Sequence, residues 1–131
     1  MPLKRKLLAP PAAGAPLDVA GLDELDPGEA LQFDYPTADH PCLLIRFSPE
    51  EFVAYNASCT HLMCPVHYDD ETRRLVCPCH HGFFDAENGR VLAGPPRRPL
   101  PRYEVRVVAG RIMVGPGLVP LSAPESVSEL R

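Results

Sequence analysis

Apolar residues fall along this chain in short alternating or continuous runs, without a sustained helical period. Glu29 to Tyr35 (EALQFDY) alternates moderately and predicts a strand. Cys42 to Phe47 (CLLIRF) is almost uninterrupted and predicts a buried strand. Glu51 to Ala57 (EFVAYNA) predicts another, entered through a turn at Ser48-Pro49. Farther on, Arg102 to Val108 places Tyr103, Val105 and Val107 on one face, Ala109-Gly110 turns the chain, and Arg111 to Val114 returns as the second half of a hairpin. A smaller hairpin is predicted from Val66–Tyr68 and Arg74–Val76 across the polar turn Asp69-Asp70-Glu71-Thr72. The nearest helix candidate, residues 23–31, is interrupted by Pro27-Gly28. The expected architecture is all-β, with a domain over residues 17–117 and a subdomain at about 58–96 inserted into its sheet scaffold. The flanks, 1–16 and 118–131, are expected to be a flexible or binding arm and a loose or partner-bound tail.

Composition supports that reading and narrows it. Proline, at 17 of 131 residues, disfavours long helices and suits short strands joined by turns. The length excludes a large catalytic domain beside a cofactor domain. A net charge of −4 argues against nucleic acid as a partner. Acids at 18, 23, 24, 26, 29, 34 and 39 form a stretch without a base, and Arg97, Arg98, Arg102 and Arg106 form a basic stretch broken by Glu104. Both are expected to be solvated surface, with docking of a charged partner as the functional alternative. No apolar run is long enough for a membrane span. Lys4-Arg5-Lys6 is followed by a short, proline-broken stretch that makes a poor signal peptide, so the chain is expected to carry no export signal or anchor of its own.

Histidine and cysteine concentrate in one window. CTHLMC supplies Cys59, His61 and Cys64; CPCHHG supplies Cys77, Cys79, His80 and His81. Thiolate and neutral imidazole suit borderline-soft metals, and a Cys-His pair from each of two loops can enclose one site. A structural zinc site usually separates its Cys pair by two to four residues and its His pair by three to five, a poorer match to Cys59 and His61, which have one residue between them. Zinc also leaves the third and fourth cysteines unexplained. Cys42, outside the window, reads as a small buried hydrophobe.

The motifs C-x-H-x-x-C and C-x-C-H-x-G resemble those of the Rieske [2Fe-2S] proteins, closely over residues 55 to 101 and loosely in the flanking strands. The resemblance implies a Rieske-like antiparallel β-sandwich with an inserted cluster-binding subdomain, and one [2Fe-2S] cluster per chain. It implies that Cys59 and Cys77 bind one iron and His61 and His80 the other, with His81 a neighbour rather than a ligand. It further implies a disulfide between Cys64 and Cys79, and shielding of the cluster by Leu62 and by the proline loop at Gly94, Pro95 and Pro96. Two thiolates against a doubly positive oxidised core leave the site near neutral. Four would make it negative, which is the electrostatic sense of the raised Rieske potentials, roughly −150 to +300 mV. The outer nitrogens of His61 and His80 can couple proton to electron transfer where they reach solvent.

The chain departs from the pattern at two positions. High-potential members often carry Ser and Tyr hydroxyls that donate to sulfur; the matching residues here are Gly82 and Phe84. A potential in the middle of the family range is therefore expected. His67 is expected on the hairpin and Asp85 as a turn acceptor. Carrying electrons for a larger redox subunit or a membrane complex is the expected role, as in the small subunit of an arsenite-oxidase-like molybdenum enzyme. The alternatives are the Rieske subunit of a cytochrome bc-type quinol oxidase, a ferredoxin serving an oxygenase, and, in another class, a zinc-stabilised binding module. The compartment is left open: a disulfide favours the periplasmic side, and the absence of a signal favours the cytoplasm.

Overall fold

The computed structural model describes residues 4–57, 66–78, 82–94, 99–120, 125–126 and 129–130. Strands dominate them. In chain order they are β1 (Lys4–Arg5), β2 (Leu17–Gly21), β3 (Glu29–Asp34), β4 (Pro41–Ser48), β5 (Glu51–Asn56), β6 (His67–Asp69), β7 (Arg74–Cys77), β8 (Gly82–Asp85), β9 (Val91–Ala93), β10 (Arg102–Val108), β11 (Arg111–Val119), β12 (Glu125–Ser126) and β13 (Glu129–Leu130). The helical element among these residues is a single 3-10 turn at Leu22–Glu24. The large sheet runs β1-β3-β4-β5-β10-β11-β2, and β6-β7-β8-β9 form a separate small sheet. The all-β expectation is met.

The reason for the apolar density of β4 and β5 is that both faces are buried. Cys42, Leu44, Phe52 and Ala54 point into a first core inside the curl of the large sheet, with Leu31, Phe33, Val105, Val107, Ile112 and Val114. Leu43, Ile45, Val53 and Tyr55 point the other way, into a second core under the small sheet. One strand pair thus serves two layers, and period-2 alternation turns into a continuous apolar run. Truncating one of these fully buried leucines, Leu43 or Leu44, to alanine should cost about 2–5 kcal/mol.

Both predicted hairpins form. His67, Tyr68 and Asp69 pair with Val76, Leu75 and Arg74. At the other hairpin Ala109 and Gly110 have φ of 50° and 77°, the left-handed pair that a tight right-twisting turn needs. The strand β11 continues past its expected end at Val114. Only residues 111–114 lie between β10 and β2; beyond them, Leu118 and Val119 pair with β10 alone. Pro116 therefore sits in an edge segment, where a missing N–H is tolerated.

Short strands in both flanks pair with the large sheet. Strand β1 runs parallel to β3, pairing Lys4 with Leu31 and Arg5 with Gln32. Its side chains reach into the acidic stretch: Lys4 to Glu29 at 2.9 Å, Arg5 to Asp34 at 3.2 Å, and neighbouring Lys6 to Glu24 at 2.7 Å. Part of the stretch expected to face solvent or a partner is thus neutralised from within the chain. Near the other end, β12 pairs with β5 and β13 with β10.

Candidate metal centre

The second core is where the loop ends meet. Ala57 closes on Val66 through a 3.0 Å backbone hydrogen bond, so the segment bearing the first motif leaves and re-enters at one place. Cys77 ends β7 opposite Gly82, the first residue of β8, so the second motif bridges a tight strand-to-strand connection. After β9 comes Gly94, with φ of 95°, a conformation that glycine adopts without penalty. The returning chain is fastened where Leu100 donates its N–H to the Gly89 carbonyl at 3.2 Å. Ala57, Val66, Cys77, Phe84, Ala86 and Leu100 all belong to this one core.

Of the residues expected to form the site, Cys77 lies fully buried at the end of β7, and Gly94 is exposed. Cys59, His61, Leu62, Cys64, Cys79, His80, His81, Pro95 and Pro96 lie outside the described residues, as does the Cys64–Cys79 disulfide. Gly82 is buried and Phe84 is fully buried against Leu75 across β7–β8. Neither brings a hydroxyl to the β7–β8 connection. Asp85 is the turn acceptor expected, taking the Glu87 N–H at 2.9 Å and the Asn88 amide at 3.3 Å. His67 is exposed on the hairpin.

Cys42 is kept apart by the strand it occupies. It points into the first core, its thiol donating to the Tyr35 carbonyl at 3.3 Å, and burial pushes its pKa up to about 12. It fills space and stays a thiol. Among the described residues no three or more His, Cys, Asp or Glu side chains come together in a group that could hold a metal.

Two features were missed by reading the sequence. Tyr55 is fully buried, and its hydroxyl donates to the Ala86 carbonyl at 2.8 Å, latching the small sheet to the large one. Arg102, grouped above with surface arginines, is 1% exposed. The signal for it was available in part. If Tyr103 and Val105 face one core, Arg102 faces the other side, which the inserted subdomain covers here.

A buried cysteine at a strand end in an apolar layer fits a neutral metal site. A lone thiolate there would be costly, whereas two thiolates and two neutral imidazoles balance a doubly positive core. Residues 15–104 match the model of the Rieske [2Fe-2S] domain. The chain belongs to the Rieske [2Fe-2S] family. It carries one [2Fe-2S] cluster, which accepts and releases single electrons, and it is an electron-transfer protein. The zinc-module alternative falls with that match.

Among curated proteins, the chain is 39% identical over 61 residues to the cytochrome b6-f complex iron-sulfur subunit of Chlorobaculum tepidum, covering 47% of this chain and 33% of that protein. It is 44% identical over 73 residues to the carotenoid phi-ring synthase of the same organism, covering 56% of this chain and 11% of the synthase. The chain thus spans a third or less of either relative. Among solved structures, the ferredoxin of carbazole 1,9a-dioxygenase from Nocardioides aromaticivorans superposes with a TM-score of 0.65 at 29% identity, covering 79% of this chain and 99% of that one. The plasma membrane Rieske protein of Synechocystis also gives a TM-score of 0.65 at 29% identity, over 76% of this chain and 99% of that one. Among the described residues no helix is long and apolar enough to cross a membrane.

Proposed function

We propose that Cys59 and Cys77 ligate one iron of the cluster and His61 and His80 the other, with Cys64 and Cys79 bridging the two loops. Leu62 and Gly94–Pro96 cover the site. The observation that carries this reading is the convergence of the loop ends, Ala57, Val66, Cys77 and Leu100, on one apolar core with Cys77 buried in it. Strand β7, paired with β8 at Gly82, holds that thiol, so this one donor is fixed by the scaffold.

The protein serves as an electron-transfer subunit of a larger oxidoreductase, of the kind found as the small subunit of arsenite oxidase. Supporting this are the two missing hydroxyls: Gly82 and Phe84 leave the sulfurs without the donors typical of the highest-potential members. A mid-range midpoint potential follows. Two specific observations favour other partners. Similarity to a cytochrome b6-f complex subunit supports a place beside a b-type cytochrome. Structural match over 99% of a dioxygenase ferredoxin supports delivery to an oxygenase. Purification of the native protein with whatever accompanies it separates them: a molybdenum-cofactor subunit supports the lead reading, while b haem or a mononuclear-iron oxygenase replaces it. Redox titration adds a second check, since a midpoint near +300 mV is incompatible with the lead reading.

A further inference from the structure

Arg102 is the one buried charged side chain among the described residues. It opens β10 directly opposite Tyr55 of β5. Residues so paired project from the same face of a sheet, and Tyr55 projects into the second core. The arginine therefore lies on the cluster side of the large sheet. Its neighbours tie it to the loop ends: Leu100 is buried in that core, and the Pro101 carbonyl accepts the Asn56 N–H at 2.9 Å, beside Ala57. The guanidinium charge is felt there, because burial drives the Tyr55 hydroxyl's pKa up and Arg102 opposes the rise.

A guanidinium stays protonated at any ordinary pH. Arg102 is thus a permanent cation in a layer where charge is weakly screened. Reduction takes one electron from a donor protein, adding one negative charge to the site. A fixed cation nearby favours the reduced form over the oxidised one. We propose that Arg102 is a tuning residue that holds the cluster's potential up by its buried charge, partly offsetting the missing hydroxyls at Gly82 and Phe84. This rests on the cluster sitting at the loop ends as read above.

The test uses the full chain with its cluster, reduced by dithionite in a spectroscopic redox titration. Three variants are compared: Arg102→Gln removes the charge, Arg102→Lys keeps it without the planar fork, and Arg106→Gln removes an exposed charge of the same strand. Arg102→Gln is expected to shift the reduction equilibrium about tenfold towards the oxidised form, ~59 mV for a one-electron couple. Arg102→Lys at pH 6 and Arg106→Gln are expected to shift it less than about threefold, the latter because exposed charges are screened. Equal shifts in Arg102→Gln and Arg102→Lys, or an unchanged midpoint in cluster-loaded Arg102→Gln, overturn the proposal. Should Arg102→Gln fail to load, Arg102→Met takes its place as the neutral variant: a tenfold shift there with Arg102→Lys within about threefold of the parent supports it, and equal midpoints, or failure of Arg102→Lys to load, overturn it. A parent protein without the cluster's absorption spectrum defeats the site reading instead, so the two failures are distinguishable.

Discussion

Tyr55→Phe isolates the joint between the two sheets. Tyr55 is fully buried, and its hydroxyl reaches the carbonyl of fully buried Ala86 at 2.8 Å. Ala86 sits just past β8, and its own N–H donates to the Arg73 carbonyl at 2.9 Å on the return from β6. The substitution keeps the ring and removes one oxygen. A buried carbonyl that loses its partner costs about 1–3 kcal/mol, more than the roughly 1 kcal/mol of an average hydrogen bond. No water replaces the hydroxyl if the layer stays closed. The expected loss is about 1–2 kcal/mol, or about 4–8 °C in melting temperature for a domain of this size. Circular dichroism on the cluster-loaded protein measures it, with cluster bleaching followed in parallel. Bleaching should shift down together with the backbone transition, because the joint carries the loops. A melting temperature within 1 °C of the parent would refute the latch, and a fall in backbone stability with bleaching unchanged would show that the joint does not support the site.

Other consequences are open to simple assays. Restoring hydroxyls in a Gly82→Ser, Phe84→Tyr double variant should raise the midpoint potential, measurable by redox titration; an unchanged or lower value in a fully loaded protein contradicts the role assigned to those positions. Cys42, buried and with its pKa pushed up to about 12, should resist iodoacetamide at pH 8 in the folded protein and react once it is denatured, as read by mass spectrometry. Glu24 and Glu29 have pKa values held below 4.5, first by the backbone N–H groups of Gly21 and Asp26 and then by Lys6 and Lys4. Because folding lowers these values, their stabilisation is present above pH 4.5 and is lost as pH falls below it. Melting temperatures recorded from pH 6 to pH 3 should therefore drop less steeply in a Lys4→Ala, Lys6→Ala variant than in the parent.

Much of the scaffold was legible because its signals are local. The alternation of β3, the polar turn between β6 and β7 and the Ala109-Gly110 corner each sit within a few residues. The motif spacing needed no structure to suggest the cluster. What escaped depends on partners far away in the chain. Arg102 looks like any surface arginine until the second core closes over it. Asp34 looks solvated until Arg5 lies beside it. The end of β11 contains Gly115, Pro116 and Gly117, which read as breakers, yet the strand persists because only one side of it needs a ladder there. Strands β8 and β9 were hidden by brevity and by the motif that precedes them.

Metal and sulfide analysis of the purified protein, paired with a one-electron titration, decides whether this chain carries a Rieske cluster. About two irons and two sulfides per chain and a midpoint between roughly −150 and +300 mV are expected, with both lost in Cys77→Ser and both kept in Cys42→Ser. Zinc in place of iron, or a midpoint near −400 mV as expected for ligation by four thiolates, would contradict that.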